Sequence, residues 1–471
     1  MGVSGIAHCI FERHSTCGFT RMVNSDMSNA SWDVVIIGAG VSGLAAASEL
    51  RKSGLSVLIL EARDHVGGRA HTRHEPDLSA PIELGAEFIH GRVPETFELL
   101  HEVGKAALDT SGAHWTLRNG KLVQNTEDLF GDIQNALERS KILQQPDISF
   151  QSWLDRSDQY GLSAEAAAMA KMFVEGFDAA DPARVSTHFV AKEWGSGGML
   201  DSPQFRPLGG YSSVLAALAG SLDRENIRVQ LQTIVKEVRW KRGSAEIDAI
   251  RLEQPLSVKA TCVIVTLPLG VLQAPVDAPG AVRFAPGLDS KRQALEGLAF
   301  GPVLKLSLRF RKAFWEELDG GRYQDASFFH SAQTAFPTFW TSLPLRAPLL
   351  TAWIAGPKAA RLSTSEMPYI VEQALGSLST VFGGRPQSEF ELEAAYLHNW
   401  QTDPFARGAY SYIAVGGSDA RGALAAPLED TLFFAGEATD TEDEAATVTG
   451  ALQSGARAAR EVTKRFKGTE G

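Results

Sequence analysis

The sequence predicts an α/β protein whose first domain is laid on a parallel sheet, and three observations predict it. A β-branched run, Val34-Val35-Ile36-Ile37, opens directly onto Gly38-Ala39-Gly40-Val41-Ser42-Gly43. A helix-forming stretch (Leu44 to Leu50) and a second apolar run (Ser56 to Leu60) follow, and Glu61 closes the unit. The chain then goes on to 471 residues, well past the roughly 250–300 at which one hydrophobic core stops growing. A second domain, interleaved with the first, is therefore expected.

Each piece has a physical reason. The first run is continuous rather than alternating, as in a strand buried on both faces of a parallel sheet. Gly38 permits a tight turn, Gly40 lets the backbone approach a pyrophosphate, and Gly43 lets the helix pack closely on the strand. The helix N-terminus offers N–H groups and a positive dipole end to phosphates. Glu61 stands about 20 residues beyond the first glycine, where an acid accepts hydrogen bonds from ribose hydroxyls. With strand, glycines, helix, strand and acid all in place, a Rossmann-like dinucleotide site outweighs a bare glycine turn. Just beyond the acid, Gly67 and Gly68 allow close backbone approach and Arg69 can pair with a phosphate. Arg63 is counted in the same cofactor-binding set.

Composition narrows the class. The chain carries 45 Lys and Arg against 56 Asp and Glu, a formal charge of −11, which is no footprint for nucleic acid. Three cysteines, Cys9, Cys17 and Cys262, make neither a disulfide framework nor a metal-ligand cluster. No metal is expected, and a reducing, cytoplasmic setting is. No segment approaches the roughly 18 consecutive apolar residues of a membrane span. Residues 1–31 are irregular, resemble no signal peptide, and are expected to be a disordered tail.

From Gly67-Gly68-Arg69 onward the chain resembles the flavin amine oxidase family, which includes monoamine oxidases, polyamine oxidases and lysine-specific histone demethylases. Glu83-Leu84-Gly85-Ala86-Glu87-Phe88-Ile89-His90-Gly91 is similar to the family segment lining the flavin and one mouth of the substrate site. Leu208-Gly209-Gly210-Tyr211, Thr233 to Val238, and Thr266 to Leu272 follow in the family's order. So do Gly301-Pro302-Val303-Leu304-Lys305 and Leu432 to Glu437. Asn399-Trp400-Gln401-Thr402-Asp403-Pro404-Phe405-Ala406-Arg407-Gly408-Ala409-Tyr410 looks closest to the polyamine oxidase and histone demethylase branch.

The resemblance implies a Rossmann-like FAD-binding domain over residues 32–91, 205–285 and 395–466. An α+β substrate domain would take residues 92–204, read as mainly helical, and 286–394. It implies FAD contacts at Val235, Gly436, Glu437, Thr447 and Val448, with Trp400 against the flavin and Tyr410 as one wall of an amine cage. Thr447 stands where monoamine oxidases place the second tyrosine, so that cage is half open. Ala409 stands where they carry the cysteine that bonds FAD, so FAD is expected to be non-covalent. Lys305 matches a lysine that holds a water at flavin N5; without the resemblance, a lone lysine in an alternating run reads as surface-facing. His90 falls at the active-site entrance, where its proton affinity near neutrality would make activity pH-dependent. Glu175 and Asp178 are weaker candidates for attracting a cation. Asp440, Glu442, Asp443 and Glu444 read as acids that cap the final helix.

The implied reaction is hydride transfer from an amine α-carbon to flavin N5, imine hydrolysis, and reoxidation by oxygen to hydrogen peroxide. The partners are then a small amine and oxygen, with no nucleic acid and no membrane, and the oligomeric state is left open. An L-amino-acid oxidase, or another FAD-dependent oxidase or desaturase, would share the framework. The former needs an arginine clamp for a carboxylate, for which Arg92 and Arg206 are weak candidates. A catalytically silent FAD-binding protein is a third reading, and retention of Lys305, Trp400 and Tyr410 argues against it.

Overall fold

The computed structural model describes residues 31–125, 129–195, 202–222 and 226–468. The expected tail lies outside the described residues, apart from Ser31, which begins the first strand.

Strand Ser31–Ile37 sits inside an eight-stranded sheet. It is flanked in parallel by Val57–Leu60 and by Gln254–Val265, and Ile227–Gln230 extends the sheet beyond Val57–Leu60. On the other side the order continues through Ser244–Arg251, Thr233–Lys241 and Arg283–Ala285, while Leu432–Phe434 pairs in parallel with the end of Gln254–Val265. Val34 and Ile36 face one core with Val57 and Ile59; Val35 and Ile37 face another with Leu58 and Leu60. Both faces are covered, which is why these strands read as unbroken apolar runs. Helix Val41–Leu50 and the C-terminal helix Val448–Lys467 pack together over the first face.

A second, seven-stranded sheet runs in the order Leu392–Leu397, Val303–Phe310, Leu349–Ala355, Thr338–Thr341, Ala326–His330, Ala113–Arg118, Lys121–Gln124. Leu304, Leu306, Leu308 and Phe310 fill the core on one side of it. By alternation, Lys305 and Ser307 face the other way, and both are buried. Residues 92–204 are helical at Pro94–Glu102, Leu129–Ser140, Ala164–Gly176 and Thr187–Glu193. The expectation of a mainly helical stretch fails between 107 and 124, where three strands form. Trp115 and Leu122 are drawn into the second sheet's core, and that tertiary burial overrides local propensity. Among the described residues no helix is long and apolar enough to cross a membrane, and no group of three or more His, Cys, Asp or Glu is placed to hold a metal ion.

Candidate active site

One cavity of about 640 Å³ runs from the glycine loop to aromatic and acidic side chains that include Tyr410, Asp178 and Glu193. At the loop, Gly38 has φ +107°, and a Cβ there would meet Thr266 Oγ1 at 2.6 Å. A Cβ on Gly43 would strike the Gly38 carbonyl oxygen at 2.0 Å. Gly40 differs: a Cβ would find no protein atom nearer than 3.9 Å and would project beside the cavity that Gly40 lines. Gly40 also caps helix Val41–Leu50 with no side-chain bond to its first N–H groups, so they remain available to a ligand.

Glu61 is buried, accepting from Ala39 N at 2.7 Å and Arg63 N at 2.9 Å. Arg63 pairs with Asp403 at 2.8 Å and lies over the Trp400 ring at 5.9 Å. Gly68, Val235, Gly436, Thr447 and Val448 all line the cavity, Val235 at a bulge in its strand. Arg69 lines the same cavity, its Nη1 donating to Glu437 at 2.8 Å and to the Ala409 carbonyl at 2.6 Å. Glu437 in turn accepts from the Ser411 hydroxyl at 2.7 Å. The Arg69–Glu437 pair joins two distant segments around the cradle.

Lys305 is 2% exposed. Its Nζ donates to the Gly85 carbonyl at 2.9 Å and pairs with Glu87 at 2.6 Å. Glu87 also accepts from Arg206 Nε at 2.8 Å and from the Trp340 indole at 3.0 Å. Burial alone would raise the Glu87 carboxyl, but Lys305 and Arg206 hold it below its ordinary value. Trp400 is buried, donates to the Leu84 carbonyl at 2.8 Å, and has His398 packed on it with ring centroids 3.9 Å apart.

Tyr410 donates its hydroxyl to the Phe177 carbonyl at 2.6 Å, and burial raises its phenol well above the ordinary value. His90 lines the cavity with Nδ1 unpartnered, and enclosure pulls its proton affinity down to about 4. The expected titration of His90 near neutrality is thereby corrected, because no carboxylate faces it to offset desolvation. The Thr447 hydroxyl is spent on capping: it donates to Glu444 O at 2.5 Å and accepts from Gly450 N at 3.0 Å. The acids expected to cap that helix stop short of its first turn, and Asp440 accepts from Glu442 N and Glu444 N instead.

Beyond Tyr410 the cavity reaches two buried carboxyls, Asp178 and Glu193. Neither Asp178 oxygen has a partner in hydrogen-bond geometry. Burial, and then the facing Glu193, raise Asp178 well above its ordinary value. Burial raises Glu193 to about 7, opposed by the half-buried Arg421. Glu175 pairs at 3.7 Å with Lys358. Sequence reading did not single out Glu87, Glu193, Trp340 or Trp353 as site residues. Trp353 stands opposite Lys305 in the antiparallel register, which no local pattern announces.

The chain is similar to known flavin enzymes over most of its length. The model of the family described as flavin containing amine oxidoreductase matches residues 41–463. Polyamine oxidase 4 of Oryza sativa subsp. japonica is 28% identical, covering 92% of this chain and 89% of its own length. Lysine-specific histone demethylase 1 homolog 3 of Arabidopsis thaliana is also 28% identical over 90% of this chain, which spans 29% of that relative. The chain spans 54% of lysine-specific histone demethylase 2 of Homo sapiens, about half its length. The structure of putrescine oxidase bound to putrescine superposes with a TM-score of 0.75 at 24% identity, over 92% of this chain and 99% of that one. The fold is thus shared with that oxidase. Taken with the family match over nearly the whole described chain, the chain belongs to the flavin containing amine oxidoreductase family.

Proposed function

We propose that this chain is an FAD-dependent amine oxidase acting on a cationic, chain-like amine such as a polyamine. The observation that carries this reading is the continuity of one cavity from the glycine cradle, past Lys305 and Tyr410, to the buried carboxyls Asp178 and Glu193. FAD fits the cradle: the open side of Gly40 and the uncapped helix start suit a pyrophosphate, and Glu61 suits a ribose. Gly38, Gly43, Gly68, Arg63, Val235, Gly436, Thr447 and Val448 would complete the holding surface, with the Arg69–Glu437 pair bracing it. Ala409 offers no thiol, consistent with non-covalent binding. When bound, FAD supplies a two-electron acceptor for a hydride from the amine α-carbon.

The proposed overall reaction takes amine, oxygen and water to a carbonyl product, a shorter amine and hydrogen peroxide. An amine of pKa near about 10.4 arrives as an ammonium. Asp178 and Glu193 then offer it buried negative charge, and the substrate cation substitutes for the proton they otherwise hold. Trp353 and Tyr410 enclose the chain and exclude water, and Lys305 presents a fixed positive charge for the oxygen half of the cycle. A cytoplasmic setting is part of the proposal, supported by the free, buried thiol of Cys262.

The amino-acid oxidase reading loses its clamp. Arg206 is committed to Glu87, to the Thr341 carbonyl at 2.9 Å and to the Leu343 carbonyl, while Arg92 lies over the Phe205 ring. The match over 89% of a polyamine oxidase supports the polyamine branch. The test is to purify the yellow protein and mix it anaerobically with a panel of amines and amino acids. Bleaching by spermine or spermidine is expected; bound FAD that no amine bleaches would overturn the proposal.

A further inference from the structure

The ammonium of Lys305 has three N–H groups, and the structure accounts for two of them. One is donated to the Gly85 carbonyl at 2.9 Å, and the Glu87 carboxylate lies 2.6 Å from Nζ as its ion-pair partner. Two anchors at fixed points stop rotation about the Cε–Nζ bond, so the direction of the third N–H is set. Both anchors lie in the same short segment, which also holds Trp400 through the Leu84 carbonyl. Lys305 lines the cavity, and its strand is buried on both faces, so the chain around it cannot easily shift.

Glu87 is held as firmly as it holds. Its second oxygen takes the Arg206 Nε–H at 2.8 Å and the Trp340 N–H at 3.0 Å. Arg206 is itself pinned by two backbone carbonyls and lies over the Phe88 ring at 4.6 Å. The charge sum of Lys305, Glu87 and Arg206 is one carboxylate between two cations, a net of +1. A lone Lys–Glu pair would be neutral, so Arg206 is what leaves a positive charge at this wall. Glu83 is the other acid that acts on Lys305; burial raises its carboxyl to about 7, against Lys305 itself and the hydrogen bonds from Tyr211 N at 2.6 Å and the Thr72 hydroxyl at 2.8 Å, so the net of +1 holds while Glu83 keeps its proton.

We propose that Glu87 is a positioning residue for Lys305: with Gly85 O it aims the third N–H into the cavity, while Arg206 keeps the cluster at net positive charge. This rests on the reading of Lys305 as the cation of the oxygen half-reaction. With FAD bound and reduced, that half-reaction would return two electrons and two protons to oxygen as hydrogen peroxide.

The test uses holoenzyme carrying Glu87→Gln, with flavin reduced by dithionite and then mixed with oxygen. Loss of a charge-assisted bond is expected to slow reoxidation about tenfold or more. Anaerobic reduction by a bleaching amine should change less than about threefold, since the acids that meet the substrate are untouched. Glu87→Asp keeps the charge and shortens the reach, so it should slow reoxidation less than the Gln variant does; it also serves if the Gln variant does not fold. In apoprotein, melting-temperature losses of Glu87→Gln and Lys305→Met should be non-additive in the double variant. Wild-type reoxidation rates in both Glu87 variants, equal slowing of both half-reactions, loss of FAD, or additive melting losses would each overturn the proposal. Dithionite needs no amine, so failure of every amine to bleach the flavin overturns the proposed function and leaves this measurement standing.

Discussion

His398 lies against the indole of Trp400, with ring centroids 3.9 Å apart, and its Nε2 meets the Asp403 carboxylate at 2.7 Å. Arg63 holds the same carboxylate at 2.8 Å. Hydrogen bonding to these partners keeps Asp403 well below the carboxylate range despite burial. The wall that Trp400 presents to the cavity is therefore backed by an ionic frame rather than by aliphatic packing.

Removing that backing should loosen the wall. His398→Ala is expected to weaken FAD binding by about two- to tenfold, the equivalent of one aromatic pair, with the fold intact. Flavin fluorescence titration of apoprotein measures it. Unchanged affinity would mean that Trp400 is held by the Leu84 carbonyl alone.

The two ends of the fingerprint should respond differently to one added methyl. Gly40→Ala meets no protein atom within 3.9 Å, so the fold should persist while FAD affinity drops. Gly43→Ala drives a Cβ to 2.0 Å from the Gly38 carbonyl oxygen and should cost about 1–3 kcal/mol as overpacking does. Thermal melts of both apoproteins, beside their flavin content after reconstitution, separate the outcomes.

Arg206 and Lys305 should not be equivalent as partners of Glu87. Lys305→Met leaves Glu87 with Arg206 and Trp340, so FAD should stay bound while oxidation slows strongly. Arg206→Met leaves Glu87 with Lys305 and Trp340 but also frees the Thr341 and Leu343 carbonyls, a break of a buried pair expected to cost about 3–5 kcal/mol. Calorimetry ranks the two; a larger loss from Lys305→Met would contradict the assigned roles.

The acidic end should give the enzyme its pH response, not His90. Glu193 is raised to about 7 by burial, so raising pH through that value adds negative charge beside the substrate cation. The KM for a polyamine should therefore fall as pH rises through about 7, and Glu193→Gln should flatten the change. A carboxyl raised in the folded state stabilises most below its unfolded pKa and loses that contribution as pH rises through the folded value. The apoprotein should accordingly melt lower above pH 7 than below it. His90, held at about 4, stays neutral throughout, and His90→Gln should leave the pH profile in place.

The cofactor half of the site was legible because its requirements are local. Gly38, Gly40, Gly43 and Glu61 lie in one strand–turn–helix–strand unit, where steric limits on φ and on close approach select the residue type directly. Lys305 was legible only through resemblance, since alternation in Val303–Phe310 says which residues share a face but not whether that face meets solvent. Thr447 was placed at the cavity by resemblance, but the use of its hydroxyl as a helix cap depends on where the helix starts. The pairing of Arg69 with Glu437, 368 residues away, cannot be read from spacing.

What the sequence by itself determined is the nucleotide cradle, the α/β class and the family, all of which follow from short-range sterics, hydrophobic pattern and ordered motifs. What only the tertiary structure decided is the charge chemistry of the cavity. Glu87 meets Lys305, Asp178 faces Glu193, and His90 is kept neutral because burial removes the water that would otherwise screen each group. Such energies depend on partners brought together from distant strands and helices, and the order of residues along the chain does not contain those distances.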